Sequence, residues 1–215
     1  MIIDIEGTDG CGKKKQTELL YNYLVNQGFK VKKFSFPNYE SKSSALVKMY
    51  LNGEFGENVN DINVYQASVF YAVDRLGTMI NFNAKEYDFV LFDRYVPSNM
   101  IHQSTRIKNK KEIDEFLDWV VDLEFGKLKL PKPDKTLFLD VPIEVSMRLA
   151  RQREELKNGE SKDILESDNS HLINAYEKAK YVAKKYNWIV IDCEKDSNIK
   201  TIDEIHKEIL TKLGL

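Results

Sequence analysis

Apolar residues recur along the chain in two rhythms. MIIDIE (1–6) is rich in branched apolar residues and predicts a strand. Between Lys13 and Gln27, Leu19, Leu20, Tyr23 and Leu24 recur at helical spacing, and Gly28 follows as a stop. FKVKKFSF (29–36) alternates as a strand does and ends at Pro37. Residues 44–51 read as a short helix, NGEFGEN as a turn, and 61–82 as a long helix with Asp61 at its N-cap. DFVLFD (88–93) is almost continuously apolar, which suits a central parallel strand covered on both faces. IDEFLDWVVDLEF (113–125) is amphipathic and LPKPD ends its connection. KTLFLDV (135–141) is a further strand, followed from Pro142 by a helix to Arg153. Residues 171–186 are helical, WIVIDC (188–193) is the last strand, and 202–213 the closing helix.

Five strands alternating with helices predict an α/β fold, a parallel sheet with helices on both faces. The 215 residues suit a single domain spanning 1–215. The polar stretch at about 154–168, with Gly159 inside it, interrupts the pattern. Composition adds only limits. Hydrophobic residues make up 42% and charged residues 31%, ordinary for a soluble chain. A net charge of -2 argues against a nucleic-acid partner. No run approaches the roughly 18 apolar residues of a membrane span, and the opening run is too short for a signal peptide. Cys11 and Cys193 have no metal-ligand spacing, and their use fits a reducing, cytoplasmic setting.

The chemistry starts at GTDGCGKKKQT (7–17), close to the phosphate loop G-x-x-x-x-G-K-[ST]. Gly7, Gly12 and Lys13 fit that pattern, and the segment follows a strand and opens a helix, as a P-loop must. Backbone N–H groups from Gly7 through Lys15, including Thr8, Gly10 and Cys11, are then expected to face phosphate oxygens. The fold class sharpens to a P-loop NTPase-type five-stranded sheet. Lys14 stands where a Ser or Thr would hold magnesium, and Thr17 lies a helical turn too far on. Three readings follow: magnesium held mostly through water and oriented by Asp93, the Lys14 ammonium replacing part of its charge, or binding without turnover.

Asp9 inside the loop would be idle in a plain ATPase. It either stabilises the loop turn or accepts a hydrogen bond from the sugar of a second substrate. In FDRYVPSN, Asp93 and Arg94 follow a strand end. They are either a structural pair or a metal-orienting carboxylate beside a phosphate-gripping guanidinium. Tyr71 and Arg75 in FYAVDR lie four apart on one helix face, where they could stack on a base and bond its edge.

With these pieces in hand, the chain resembles the thymidylate kinases, which phosphorylate dTMP with ATP. EGTDGCGK, FPNY (36–39), FYAVDR, DRYVPSN (93–99) and LPKPDKTLFLDVPIEVSMRLARQR (130–153) carry the resemblance over most of the sequence. It implies ATP as phosphoryl donor with Mg2+, dTMP as acceptor, dTDP as product, and a homodimer packed through the helix holding Tyr65 to Ile80. Lys13 and Arg94 would hold the phosphates in transfer, with Asp9 at the acceptor's sugar hydroxyl. Phe36, Pro37, Tyr39, Tyr71, Ser98, Asn99, His102 and Gln103 would form the acceptor pocket, with Arg75 bonding the thymine carbonyl. Arg151 would lead into a lid at about 154–168 that closes over ATP. Departures are Lys14 and Lys15, Gly10 after Asp9 where one branch carries arginine, and Lys157, Lys162 and Ile164 in a lid where arginine is common. His102 replaces a Tyr that in many bacterial members discriminates against a ribose 2′-hydroxyl; by itself such a histidine is more often solvated or packed. His171 and His206 have no assigned role, and Trp119 and Trp188 read as core. Two rival functions remain open: a same-fold kinase acting on dUMP or a deoxynucleoside, and a nucleotide-binding regulator without turnover.

Overall fold

The computed structural model describes residues 1–56, 58, 60–156, 169–196 and 198–215, with backbone alone at 150–156 and 169–170. Five parallel strands form its sheet: β1 (Ile2–Glu6), β2 (Val31–Ser35), β3 (Phe89–Asp93), β4 (Lys135–Asp140) and β5 (Ile189–Asp192). Their order is β2-β3-β1-β4-β5, so the chain reverses direction across the sheet at β1. In such a sheet, ligands bind outside the carboxyl ends of the strands at the reversal. Ile5 pairs in register with Asp93 on one side and Leu137 on the other. The glycine loop after β1 and the DRYVPSN segment after β3 are thereby neighbours.

Helices cover both faces. Ile3, Ile5, Leu137, Leu139 and Ile191 pack with Leu20 and Leu24 of α1 (Lys13–Asn26) and Ile205 and Ile209 of α8 (Ile202–Leu213). On the other face Val90 and Phe92 meet Tyr95, Phe116, Leu117 and Val120. β3 supplies Phe89 and Leu91 to the first cluster and Val90 and Phe92 to the second. That explains its unbroken apolar run, since every side chain is covered.

Most elements lie where the pattern puts them. The remaining helices are α2 (Ala45–Leu51), α3 (Val64–Met79), α4 (Val96–Ser104), α5 (Lys110–Val121), α6 (Ile143–Leu156) and α7 (Asn169–Lys185). Several differences are physical. The N-cap of α3 is Asn63, not Asp61; Asn63 and Gln66 form a reciprocal capping box, while Asp61 accepts the Asn58 N–H at 3.0 Å. α4 does not stand out in the pattern, because seven of its nine residues are buried and its polar side chains, Ser98, Asn99, His102 and Gln103, line a cleft instead of alternating with a solvated outer face. The amphipathic run ends at Val121 as an α-helix and continues as a π-helical turn over Asp122–Lys127. A small hairpin of β6 (Glu194–Lys195) and β7 (Asn198–Ile199) follows β5. Trp119 and Trp188 pack at the core's rim rather than within it.

Candidate active site

The glycine loop is shaped by close approaches. A Cβ on Gly7 would sit 2.6 Å from Cys11 Sγ and 3.1 Å from the Leu139 carbonyl oxygen. Gly12 takes a left-handed conformation, φ 87, to turn the chain into α1. Lys13, at the first turn of α1, folds back, and its ammonium donates to the Gly7 and Thr8 carbonyls at 2.8 and 2.7 Å. Thr17 donates its hydroxyl to the Lys13 carbonyl at 2.9 Å and is buried, so it does not stand in for the absent loop hydroxyl. Lys14 and Lys15 are exposed and face the same opening.

That opening is a cleft of about 790 Å³ between the loop and α4. Of the expected site residues, it is lined by Asp9, Gly10, Gly12, Lys13, Lys14 and Lys15, and by Phe36, Pro37, Tyr39 and Tyr71. Asp93, Arg94, Ser98, Asn99, His102 and Gln103 complete that set. Gly7, Thr8 and Cys11 stand behind the surface of the cleft, where they shape the loop and hold Lys13. The side chain of Arg151 and the lid residues Lys157, Lys162 and Ile164 lie outside the described residues.

Arg94 is the hub. Its backbone sits in the left-handed region at φ 67, a strained conformation for a side chain with a Cβ. Its guanidinium forms an ion pair with the Asp9 carboxylate and approaches His102 Nε2 at 2.9 Å and the Ser98 hydroxyl at 3.5 Å. Burial works to raise the Asp9 pKa, but Arg94 and Lys13 overcome it and hold the carboxyl well below the usual carboxylate range. Burial and Arg94 together push the His102 pKa well below the ordinary histidine value. A guanidinium can only donate, so His102 Nε2 is the acceptor and the proton of the neutral ring is on Nδ1.

Beneath the cleft lies a buried polar layer. Glu6, wholly buried, accepts from the Tyr95 N–H at 3.0 Å and from the Ser98 hydroxyl at 2.7 and 2.9 Å. Arg75 differs from expectation. It is absent from the cleft lining, and its Nε and Nη2 fork onto Glu124 at 2.6 and 2.7 Å, both residues buried. Asn99 lines the cleft, and its amide donates to the same Glu124 and to the Ser68 carbonyl. Asp74 accepts the Asn38 N–H at 2.8 Å and the Ser43 hydroxyl at 2.9 Å, which docks the FPNY segment onto α3 beside Tyr71. Gln103 is held by Arg106 at 2.8 Å.

Sequence reasoning missed Glu124 and His171. Glu124 falls on the stripe of Ile113, Leu117 and Val120; an acid at a buried helical position was the available signal. His171 lines the cleft and stacks on His102, with ring centroids 5.7 Å apart and planes 21° off parallel. Nothing in its local pattern marks it. Tyr95 also lines the cleft, its ring flat on Phe92 at 3.9 Å.

A strand-end glycine loop and a lysine at the helix start share one cleft with aromatic and polar side chains from α3 and α4. The sequence model of thymidylate kinases matches residues 5–209. The chain belongs to the thymidylate kinase family. A thymidylate kinase of Mycobacterium tuberculosis is 33% identical over 171 residues, 78% of each chain. A probable thymidylate kinase of Methanococcus aeolicus is 29% identical over 213 residues, covering 98% of this chain and 94% of that one. Among solved structures, a thymidylate kinase from Candida albicans superposes with a TM-score of 0.70 at 23% identity over 99% of this chain and 90% of that one, which shows the shared fold.

Proposed function

We propose that this thymidylate-kinase-family chain transfers the γ-phosphoryl group of ATP to dTMP, giving ADP and dTDP. The observation that supports it most is the single cleft, which joins the Lys13 loop to an acceptor pocket walled by Phe36, Tyr71, Ser98 and Asn99. The acceptor phosphate is already anionic, so no strong base is required. Positioning and charge stabilisation carry the rate.

In this reading Lys13 leaves its loop carbonyls to grip the transferring phosphoryl group, and Arg94 turns from Asp9 to the acceptor phosphate. Asp9, ionised at neutral pH, then accepts the acceptor's sugar hydroxyl. Tyr71 stacks on the base and Asn99 meets its edge. Arg75 acts from beneath, because its fork is committed to Glu124. The donor set for Mg2+ is sparse: among the described residues no three metal-binding side chains cluster. A small hard cation that keeps several waters and binds through substrate phosphates needs only one or two protein carboxylates. Asp93, lining the cleft one strand from the loop, fits that need and would orient the ion, which neutralises phosphate charge. The functional unit is a homodimer through α3. The compartment is cytoplasmic, in keeping with two free, buried cysteines.

A panel of nucleoside and nucleotide acceptors, assayed for ADP formation with several divalent metals, tests the reading. dTMP is expected among the best acceptors by kcat/KM. Preference for dUMP or a deoxynucleoside, or nucleotide binding with no turnover on any acceptor, overturns it. Lys13→Ala is expected to lower kcat about 10²–10³-fold, because it removes a charge aimed at the reacting group, and to lower Tm as well, because the Gly7 and Thr8 carbonyls lose their donor.

A further inference from the structure

We propose that His171 is a positioning residue for phosphoryl transfer, fixing the His102 ring and through it the guanidinium of Arg94. The inference rests on the proposed kinase reading for the role of Arg94, and on geometry for everything else. Arg94 has a long side chain with four torsions, and its terminal plane must be held for a forked grip on phosphate. Three groups hold it here: Asp9, Ser98 and His102.

These three are not equivalent. Asp9 is the group the acceptor's sugar takes. The Ser98 hydroxyl already donates to Glu6 at 2.7 Å and lies 3.5 Å from Arg94, a weak contact. His102 remains, 2.9 Å from Arg94 and held neutral, with Nε2 offering the lone pair a guanidinium requires. An imidazole serves as a fixed acceptor only if its plane is fixed. His102 comes from α4 and sits at the edge of the cleft, half-buried. His171 reaches across from the first turn of α7 and lies against its face at 5.7 Å, within the range of favourable ring pairs. The order of contacts is therefore α7, His171, His102, Arg94 and the acceptor phosphate. His171 touches no reacting atom in this scheme.

Steady-state kinetics on five purified proteins test it: wild type, His171→Ala, His171→Phe, His102→Ala and the Ala/Ala double variant. His171→Ala is expected to lower kcat/KM for the acceptor about 10- to 100-fold, the cost of a misplaced grip, while KM for ATP holds. His171→Phe keeps an aromatic face and recovers most of that loss. The Ala/Ala double variant falls no further than His102→Ala alone, because both act through one contact chain. Unchanged acceptor kinetics in His171→Ala, no recovery in His171→Phe, or multiplicative losses in the double variant each overturn the proposal. Should His171→Ala fold poorly by thermal melt, the comparison of His171→Phe with His102→Ala decides: a Phe variant as impaired as His102→Ala overturns it. The assays use whichever monophosphate the acceptor panel ranks first. If another monophosphate outranks dTMP, the dTMP assignment falls separately and the same variants are compared on that acceptor; if no monophosphate is turned over, the proposal falls with the kinase reading.

Discussion

Asp4 is buried completely, and neither carboxyl oxygen has a hydrogen-bond partner among the described residues. Burial first, then the nearby Glu6 and Asp93 carboxylates, raise its pKa well above the ordinary aspartate value, against a smaller opposing pull from Arg75. An unpaired polar group in a core costs about 1–3 kcal/mol. Asp4→Val is therefore expected to raise Tm at neutral pH, measured by calorimetry. The sign of the pH effect follows from the raised folded pKa. Wild-type stability is full below the unfolded value of about 4 and is lost as pH rises through the folded value. The gap between the variant and wild type should thus be smallest near pH 4 and widen toward neutrality; a gap that stays constant with pH would count against a carboxyl buried in its protonated form. The same distinction separates what the sequence reveals from what it hides at this scale. Asp9, Lys13 and Arg94 follow strand ends at motif spacing, and the fold brings all three to one cleft. Asp4 and Glu6 lie in a strand whose apolar neighbours disguise two buried acids, and His171 gains meaning only from α4 across the fold. Lys14 remains testable alone: with its side chain exposed at the cleft, Lys14→Ser should change the magnesium dependence of kcat if the ammonium shares the charge neutralisation, whereas an unchanged profile makes it a bystander.

α3 serves two surfaces at once. Its inner face buries Ala67, Ser68, Ala72, Asp74, Arg75 and Met79, which support the cleft. Its outer face leaves Tyr65, Val69 and Val73 exposed at four-residue spacing, with Ile80 just beyond its end. The homodimer through this helix is what the family resemblance implies, and an exposed apolar stripe is a surface that such an interface would cover. Val69→Glu together with Val73→Glu places two like charges on that stripe and is expected to give a monomer by sedimentation at concentrations where wild type is dimeric. A variant that sediments like wild type would place the interface elsewhere. Element positions were widely legible because periodicity reports which faces are covered, and β3 shows this best. Ends were less so: Asp61 and Asn63 are both good caps by type, and only the reciprocal bond with Gln66 selects Asn63. Glu124 continues the buried stripe of α5 into the π-helical turn, but its partner Arg75 lies 49 residues away in sequence, so the pairing is visible only in the fold. Its importance is open to measurement. Glu124→Ala leaves the Arg75 charge buried and unpaired and should cost about 3–5 kcal/mol in a denaturant titration.

At the scale of the whole molecule, the chain reversal at β1 collects groups from distant stretches of sequence into one cleft: the loop at 7–15, FPNY, α3, DRYVPSN and His171. The molecule carries a net charge of only -2, yet Lys13, Lys14, Lys15 and Arg94 gather at this cleft. Attraction for anions is thus local, and added salt should weaken it where the lysines are exposed and much less at half-buried Arg94. Binding to the folded state alone stabilises by mass action, about 2.7 kcal/mol at a ligand concentration 100 times Kd. For a domain of this size each kcal/mol moves Tm by roughly 2–4 °C. dTMP at that ratio is accordingly expected to raise Tm by about 5–10 °C. In the proposed reading the phosphate supplies the contact with Arg94, whereas thymidine offers only its base and sugar. Arg94→Ala should therefore remove most of the dTMP shift at the same concentration and leave any thymidine shift near its wild-type value. If Arg94→Ala instead reduces both shifts equally, the arginine is maintaining the shape of the cleft through Asp9 and His102, and its assignment to the acceptor phosphate fails.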